Sequence, residues 1–421
     1  MTGHRVSHRS LAVAALSTVV EWYDFTLYLY FATVIARVFF GGGSGGLATA
    51  LGGFAVAYLM RPVGAVVLGH IADRHGRRPM LLLSMAIMSL AMLLTALLPT
   101  YAQIGSAAAW LLFGLRCVMG FSVGGEYTGV ISYLLEGAAR ERRGLVASLA
   151  AAASEVGALL AVGVSAVTVS LVSETDLQGW GWRIPYFVGA ALAGTVWLAR
   201  STMEESPDFV RLRTENALPW HPLADALTRQ RGGLLLAFAI SSLGSITYYV
   251  GITYVPTFLN SARAMSETLA LWLSTIAAVA VILITPVVGL VSDRFGRKPA
   301  LLVLATLSAI LPISLFSLMA SGTIGRALLG AVVLALVAGG VSAVGAIATG
   351  EQFRPESRAT GLGLGYTMAT TIFGGLTPYV AQRLVEETGS PLMPGIMIAV
   401  VAVAALPVFA LMRETAPRGR G

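Results

Sequence analysis

The sequence predicts an all-α polytopic membrane protein, with 12 transmembrane helices arranged as two six-helix bundles. Hydrophobic residues make up 56% of the 421 residues, and charged residues only 12%, which is about half the charged fraction of an average soluble domain. The apolar residues gather into stretches of roughly 20 or more, the length at which a helix crosses a bilayer. One charged loop sequence also occurs twice in the chain, which indicates an internal repeat.

Helices are the predicted form of every span, because a segment in lipid must satisfy its own backbone hydrogen bonds. The alternating pattern of a membrane β-barrel is absent from the sequence. The first span is too long for a cleaved signal peptide and carries Glu21 and Asp24 in its middle. The twelve predicted spans are 12–38, 47–70, 79–98, 105–136, 144–172, 183–200, 233–259, 267–292, 299–319, 326–350, 359–382 and 392–412.

The formal net charge of +7 is interpreted as a topology signal rather than as a sign of nucleic-acid binding. Most of the 28 lysines and arginines fall in segments that lie inside if the N-terminus is inside. This bias predicts a bacterial inner-membrane protein with both termini in the cytoplasm. The exceptions are five predicted outer arginines and two within spans: Arg37, Arg183, Arg263, Arg326 and Arg383, then Arg61 and Arg116.

Other residue types argue against several classes of function. Cys117 is the only cysteine, so no intrachain disulfide is possible. The five histidines lack metal-ligand spacing, and the only lysine, Lys298, is not part of a phosphate-binding loop. No pairing of a nucleophile with a base supports a membrane enzyme. We therefore expect no metal, no cofactor and no nucleic-acid partner, and a monomer whose partners are a small-molecule substrate and the lipid bilayer.

The repeated loop divides the chain into two halves. Residues 69–79 read GHIADRHGRRP and residues 289–299 read GLVSDRFGRKP. Between the halves lies a stretch rich in charge and proline, which is typical of a linker. The predicted domains are an N-terminal six-helix bundle, a cytoplasmic linker and a C-terminal six-helix bundle: 1–200, 201–232 and 233–421.

The loop has a physical logic that predicts a gate. Gly76 and Gly296 permit a tight reversal between spans, and Asp73 and Asp293 can interact with the N-terminus of a helix. A second repeat places a glutamate seven residues before an arginine in each half. The predicted gating residues are those of both repeats: Asp73, Arg77, Glu136, Arg143, Asp293, Arg297, Glu351 and Arg358.

The repeated loop resembles the signature of the major facilitator superfamily. Other motifs are similar to its metabolite:proton symporter family, which includes proline/betaine, citrate, α-ketoglutarate and shikimate transporters. This resemblance implies the major facilitator fold and alternating access between two bundles. The motifs are EWYDF at 21–25, LMRPVG at 59–64, GFSVGGEY at 120–127, WRIP at 182–185, ESP at 205–207, TYY at 247–249 and TYVP at 253–256.

Charged residues inside the predicted spans are the main functional candidates, because an ionisable group at membrane depth costs several kcal/mol unless it is paired. Glu21 and Asp24 share a helix face, and Arg116 and Glu155 reach a similar depth. We predict that the proton is the coupling ion, with Glu126 either a proton exit group or the partner of Arg61. The predicted proton-coupling residues are Glu21, Asp24, Arg116 and Glu126.

A second set of residues is predicted to bind the substrate. Arginines suit a carboxylate, and aromatic faces suit a quaternary ammonium group. A static ion-pair lattice is the alternative for the charged residues, and an interfacial aromatic belt is the alternative for the tyrosines. The predicted set is Arg116, Arg61, Glu155, Tyr248, Tyr249, Tyr254, Tyr366 and Thr370.

The predicted function is proton-coupled import of a small carboxylate-bearing metabolite. This solute is either an organic acid, such as citrate or a dicarboxylate, or a zwitterionic osmolyte, such as proline or betaine. The seventh span resembles the betaine/proline transporters and the eleventh resembles the citrate transporters, so the substrate stays open. The alternatives are a proton-coupled exporter or antiporter and a non-transporting membrane receptor.

Overall fold

A computed structural model describes residues 6–41, 46–263, 265–321 and 323–416, and every regular element in these residues is a helix. Both chain termini, whose cytoplasmic location is predicted, lie outside the described residues. The side chain of Arg263, predicted to lie on the outer face, is also outside them.

Eleven α-helices form the predicted spans of the first half and their connections, and two more lie in the predicted linker. Together α1, α2 and α3 cover the first span, α4 and α5 cover the second, and α6, α8, α9 and α11 are the third to sixth. Their bounds are α1 His8–Leu16, α2 Thr18–Tyr30, α3 Ala32–Phe39, α4 Gly46–Tyr58, α5 Met60–His75, α6 Arg77–Leu97, α7 Tyr101–Ile104, α8 Ala107–Gly137, α9 Arg143–Leu171, α10 Glu174–Asp176, α11 Arg183–Ser201, α12 Pro207–Thr214 and α13 Pro222–Arg229.

Eight α-helices form the six predicted spans of the second half. Two of these spans contain a single π-helical turn, Tyr249–Thr253 between α14 and α15 and Thr371–Gly375 between α19 and α20. The bounds are α14 Arg231–Tyr248, α15 Val255–Arg263, α16 Glu267–Phe295, α17 Arg297–Ser321, α18 Ile324–Glu351, α19 Arg358–Thr370, α20 Thr377–Thr388 and α21 Met393–Leu411.

The helices of the structure coincide with all twelve predicted spans, with ends that differ by a few residues. Eight helices in the described part are long and apolar enough to cross a membrane, by length and composition alone. The other four predicted spans are the first, second, sixth and eleventh. Three of these are interrupted, the first at Ser17 and Phe31, the second at Leu59 and the eleventh at the π-helical turn.

Contacts within the chain divide it into two compact units. Each unit takes in a short segment of the other sequence repeat, namely the start of α19 in unit 1 and the start of α9 in unit 2. The predicted domain boundaries stay a prediction. Unit 1 comprises Met1–Gly137, Ala153–Leu223 and Pro355–Gly363, and unit 2 comprises Ala138–Ala152, Ala224–Arg354 and Leu364–Gly421.

In unit 1, glycines bring α5 and α8 into direct backbone contact. A Cβ atom added at Gly64 would overlap the carbonyl oxygen of Phe121, and one added at Gly124 would overlap the carbonyl oxygen of Arg61. Small residues permit this approach between membrane helices, where dispersion contacts drive association. The contact fixes the position of Arg61 on α5 relative to α8, which carries Arg116.

In unit 2, α14 packs against α18 and α21, and α17 packs against the same two helices. The apolar core of this unit includes an edge-to-face contact between Phe258 of α15 and Phe316 of α17, with ring centroids 4.9 Å apart. This packing holds the π-helical turn that follows α14 against the rest of the unit.

The close contact of α5 with α8 predicts which glycines tolerate a side chain. Gly64→Ala and Gly124→Ala should each destabilise the protein by about 1–3 kcal/mol, because the added methyl group forces the backbones apart. Gly114→Ala, on the same helix as Gly124, is the matched control, because a Cβ there meets no atom within 4 Å. Thermal unfolding in detergent measures the difference, and equal shifts for all three variants would contradict the contact.

Candidate functional site

Four of the predicted site residues line one cavity in unit 1. They are Glu21 and Asp24 from α2, Arg61 from α5 and Arg116 from α8. The cavity between them measures about 30 Å³. All four side chains are buried, so the cavity wall carries two acids and two arginines away from bulk solvent.

Arg116 and Asp24 form the central ion pair of this cavity. Arg116 Nη1 donates to Asp24 Oδ2 at 2.8 Å, and Arg116 Nη2 donates to Thr95 Oγ1 at 3.4 Å. The guanidinium carbon also lies 5.4 Å from the ring centroid of Tyr28. A buried ion pair is stable only where such additional contacts offset the loss of hydration, and these contacts hold the guanidinium at the cavity wall.

Arg61, which also lines the cavity, contacts two aromatic rings. Its guanidinium carbon lies 3.9 Å from the ring centroid of Tyr58 and 5.4 Å from that of Phe25. The two rings contact each other edge to face, with centroids 6.0 Å apart. Cation–π contacts of this kind strengthen when water is excluded, so they help to orient the Arg61 guanidinium.

Several buried polar atoms near the cavity have no hydrogen-bond partner among the described residues. They are Glu21 Oε2, Asp24 Oδ1, Arg116 Nε and the hydroxyl of Tyr186, whose ring centroid is 6.0 Å from the Arg116 guanidinium carbon. Leaving such an atom unsatisfied costs about 1–3 kcal/mol. Buried donors and acceptors without partners among the described residues therefore lie close to this cavity.

Glu126 lies elsewhere in unit 1, and the prediction that it partners Arg61 is wrong. Its carboxylate forms an ion pair with Arg200 and accepts a hydrogen bond from Ser84. Arg200 also donates to the carbonyl oxygen of Leu81 at 2.7 Å. The proton-exit role of Glu126 stays a prediction.

Arg200 lies in the last turn of α11, and its side chain is fully buried. Side chains on a helix point toward the helix N-terminus, so an arginine in the last turn of α11 reaches back into the bundle. There it also donates to the hydroxyl of Ser17, the residue between α1 and α2.

Glu155 is buried on α9, but it is not among the described residues that line the cavity. A Cβ added two residues later, at Gly157, would overlap the backbone of Val19, so this part of α9 lies against α2. The carboxylate partner of Arg116 is Asp24. A role for Glu155 in substrate binding stays a prediction.

In unit 2, the π-helical turns bring several predicted residues together. The rings of Tyr248 and Tyr249 contact edge to face, with centroids 5.6 Å apart. Ser245 Oγ donates to Thr370 Oγ1 at 3.2 Å, and Thr370 Oγ1 donates to the carbonyl oxygen of Tyr366 at 2.8 Å. Such turns are frequent at functional sites. Beside these two turns, hydroxyl groups and aromatic rings of α14 and α19 lie close together.

Tyr254 does not share the hydrogen bonds of Ser245 and Thr370. Its hydroxyl donates to Gln382 Oε1 at 2.7 Å, and its ring is buried in the core of unit 2. The bond ties the start of α15 to α20. Substrate binding by Tyr254 stays a prediction.

The repeated loop forms a buried ionic cluster in unit 1. Arg77 pairs with Asp73 at 2.7 Å and with Glu136 at 2.9 Å, and Arg358 pairs with Glu136 at 3.0 Å. Asp73 also accepts hydrogen bonds from the backbone N–H of Thr360 at 2.9 Å and from its hydroxyl at 2.7 Å. Asp73 therefore caps the first turn of α19, which has backbone N–H groups without helical partners.

Unit 2 contains the corresponding cluster. Arg297 pairs with Asp293 at 2.7 Å and with Glu351 at 3.4 Å. Asp293 accepts hydrogen bonds from the backbone N–H groups of Gly144 at 2.8 Å and Leu145 at 2.9 Å. These N–H groups belong to the first turn of α9, which begins at the predicted gating residue Arg143. The expected interaction of each loop aspartate with a helix N-terminus is thus present in both units.

A second capping carboxylate in each unit has no predicted role. Glu205 accepts hydrogen bonds from the backbone N–H groups of Arg77 at 2.9 Å and Arg78 at 3.3 Å, where α6 begins. Glu414 accepts from those of Arg297 and Lys298 at 2.9 and 3.0 Å, where α17 begins. Burial raises the pKa of Glu205 above its ordinary value. Burial acts in the same direction on Glu414, but hydrogen bonds from four backbone N–H groups lower its pKa below the ordinary value.

The residue after each capping glutamate joins the ionic cluster. Ser206 Oγ donates to Glu136 at 2.5 Å, and Thr415 Oγ1 donates to Glu351 at 2.5 Å. The signal that could have identified this device is a Glu-Ser or Glu-Thr pair shortly after the last span of each half. A pair of two residues is too short to stand out by itself. In the first half it is part of the ESP motif at 205–207, whereas in the second half no longer motif surrounds it.

Both halves of the chain match known families. Residues 11–218 match the family described as "Sugar (and other) transporter", and residues 246–421 match "Major Facilitator Superfamily". The glycine betaine/proline/ectoine/pipecolic acid transporter of Dickeya dadantii is 32% identical over 97% of this chain and 83% of its own length. The alpha-ketoglutarate permease of Escherichia coli is 35% identical, over 88% and 86%. The citrate-proton symporter of Klebsiella pneumoniae is 29% identical, over 92% and 87%.

Solved structures match across nearly the whole chain. The proton:xylose symporter XylE bound to 6-bromo-6-deoxy-D-glucose gives a TM-score of 0.81 at 18% identity, covering 97% of this chain and 96% of that one. The human organic anion transporter MFSD10 gives 0.69 at 16% identity, covering 95% and 99%. At these identities the likeness concerns the fold alone, and the predicted fold class is confirmed.

The Glu126–Arg200 pair leads to a stability prediction. Glu126→Gln should cost about 3–5 kcal/mol, because it leaves the Arg200 charge buried without a counter-charge, whereas Glu126→Leu combined with Arg200→Met should recover most of that loss. Arg37→Gln is the control, because it breaks a pair whose side chains are 38% and 72% exposed, and it should cost no more than about 1 kcal/mol. Thermal unfolding compares the variants. A loss for Arg37→Gln equal to that for Glu126→Gln would show that burial does not set the cost.

Proposed function

The chain belongs to the major facilitator superfamily, and on this premise we propose that it imports a small carboxylate-bearing metabolite together with a proton, by alternating access. The observation that carries the proposal is the cavity in unit 1, where Glu21, Asp24, Arg61 and Arg116 meet. Charged side chains inside a membrane protein are costly and typically mark solute pathways and proton relays.

The substrate class follows from the charges of the cavity and is supported by the relatives. A guanidinium group binds a carboxylate with two parallel hydrogen bonds, and the cavity wall offers two such groups. The names of the relatives include α-ketoglutarate, citrate and glycine betaine/proline, and each of these solutes carries a carboxylate. The class therefore covers organic acids such as citrate or a dicarboxylate and zwitterions such as proline or betaine.

Glu21 carries the coupling proton in this proposal, and Asp24 holds Arg116. Asp24 is already paired with Arg116 at 2.8 Å, whereas Glu21 Oε2 is buried without a hydrogen-bond partner among the described residues. Two like charges about 4 Å apart repel by about 4 kcal/mol at an effective dielectric constant near 20. Protonation of Glu21 therefore favours entry of a substrate carboxylate. This preference couples proton binding to substrate binding.

The ionic clusters of the repeated loops act as gates in this proposal. Asp73 and Asp293 each cap the first turn of a helix from the other sequence repeat. Separation of the carboxylate from that turn would leave the N–H groups without partners, so each cluster has a bound state and a released state of different energy. The remaining cluster residues, Glu136 and Glu351 among them, stabilise the bound state.

The proposal extends to topology and assembly. The arginine bias of the sequence supports a bacterial inner-membrane protein with both termini and both repeated loops in the cytoplasm. It works as a monomer on a small-molecule substrate, with the proton as coupling ion and no cofactor.

Glu21→Gln should separate binding from coupling, because the amide mimics a permanently protonated acid. This variant should bind substrate and exchange labelled substrate across liposomes, but it should not accumulate substrate when a proton gradient is applied. The solute for the assay comes first from a thermal-shift screen of organic acids and zwitterions, since a bound ligand raises apparent stability.

Asp24→Asn is the comparison variant for this experiment. It leaves Arg116 buried without its counter-charge, so it should unfold at a lower temperature than Glu21→Gln. Accumulation that persists in Glu21→Gln and is lost in a stably folded Asp24→Asn would assign the proton to Asp24. Uptake that requires sodium and survives a protonophore would overturn proton coupling.

The gating role makes a kinetic prediction for Asp73→Asn. The amide keeps the size of the carboxylate but weakens the cap on α19 and the pair with Arg77, so it should slow transport while substrate affinity changes only a few-fold. A gate alters the populations of states rather than the contacts of the substrate. Asp208→Asn is the control, because Asp208 contacts the same cluster only at its edge, 3.3 Å from Arg358. Loss of binding in Asp73→Asn with an unchanged maximal rate would place the loop at the substrate site instead.

A further inference from the structure

Each repeated loop contains three arginine or lysine residues, and its ionic cluster uses only one of them. Arg77 and Arg297 enter the buried clusters. The other residues form no ion pair with an acidic side chain in the described part of the chain, and Arg78 Nη2 donates to the carbonyl oxygen of Ser201 at 2.6 Å. All four border the turn between two consecutive spans. These residues are Arg74 and Arg78 in unit 1 and Arg294 and Lys298 in unit 2.

An exposed aromatic ring lies beside the first of these cations in each unit. The Arg74 guanidinium carbon is 5.1 Å from the ring centroid of Trp220, which is 75% exposed. The Arg294 guanidinium carbon is 5.5 Å from the ring centroid of Phe295, which is 66% exposed. Trp220 comes from the predicted linker and Phe295 from the loop itself, so two different stretches of sequence supply the same combination.

In unit 2, the loop cations border a hollow of about 260 Å³. Arg294, Phe295 and Lys298 form part of its wall, together with Glu414. The Glu414 carboxylate is the acidic group of the hollow, but its oxygens accept hydrogen bonds from four backbone N–H groups. The Glu414 carboxylate is therefore stabilised by backbone N–H groups. Arg294 and Lys298, the two cations of the hollow, can bind another anion.

We propose that each loop, with its aromatic ring, binds the phosphate group of an anionic phospholipid. Site 1 consists of Arg74, Arg78 and Trp220, and site 2 consists of Arg294, Lys298 and Phe295. Aromatic side chains settle at the headgroup level of a bilayer, and guanidinium groups bind phosphate through two hydrogen bonds.

The depth and the charge of the two sites favour a lipid over a water-soluble anion. Each loop joins two consecutive spans, α5 to α6 and α16 to α17, so it lies at the boundary of the hydrocarbon region. Trp220 contacts the last turn of α5, and this contact brings the linker to the same depth. The sites are independent of the substrate cavity, because they share no residue with it.

Binding of phosphatidylglycerol to the purified protein tests the proposal, with phosphatidylcholine as the uncharged comparison. Arg74→Gln with Arg78→Gln, and Arg294→Gln with Lys298→Gln, should each weaken binding at one site by about fivefold per charge removed. Trp220→Ala should weaken site 1, and Trp220→Phe should preserve most of the affinity. The control is Arg140→Gln with Arg142→Gln, which removes two exposed arginines that have no ring contact among the described residues.

The measurements are the number of phosphatidylglycerol molecules retained in native mass spectrometry and the fluorescence of Trp220, obtained as the difference between the wild type and Trp220→Phe. Brominated phosphatidylglycerol should quench this difference more strongly than brominated phosphatidylcholine. Equal losses in the site variants and the control would reduce the effect to diffuse charge attraction and overturn the proposal. Stabilisation by inorganic phosphate equal to that by phosphatidylglycerol would assign the sites to a free anion. Absence of quenching by either lipid would show that Trp220 does not lie at the membrane surface, and it would overturn site 1.

Discussion

The cost of placing a charge where water cannot reach it governs this structure. Arg116 can lie at the cavity wall because Asp24, Thr95 and an aromatic face stabilise its guanidinium together. The close backbone contact of α5 with α8 fixes Arg61 in the same unit, and the buried Arg200 is matched by Glu126. One charged group, Glu21, lacks a full set of partners among the described residues, and our proposal assigns the coupling proton to it.

The positions of the spans could be predicted because the apolar length of a segment is a local property of the sequence. Asp24 and Arg116 were identifiable for a similar reason, since a charge in the middle of an apolar stretch is conspicuous. The partner of Glu126 was not predictable, because it depends on how α8 and α11 are rotated against each other. Arg200 stands in the last turn of its helix, where the sequence cannot tell whether its side chain reaches toward water or back into the bundle.

Two structural features occur in both halves, the repeated loop and the capping glutamate. Only the loop is similar enough in sequence to be found by comparing the halves. The loop around Asp73 and Asp293 is long and similar, so its repeat is evident in the sequence. The capping residues Glu205 and Glu414 repeat their contacts with little similarity around them. The contacts of a cap depend on one carboxylate near a helix start, and many sequences can supply it.

The capping residues Glu205 and Glu414 lie outside the six predicted spans of their halves, but they contact those spans. Each lies beyond the sixth span of its half, yet it completes the start of the third span and supplies, through the next residue, a donor to the ionic cluster. A half cut at the end of its last helix would lose both contributions. A split or recombined version of this chain must therefore keep each short tail with the six helices that precede it.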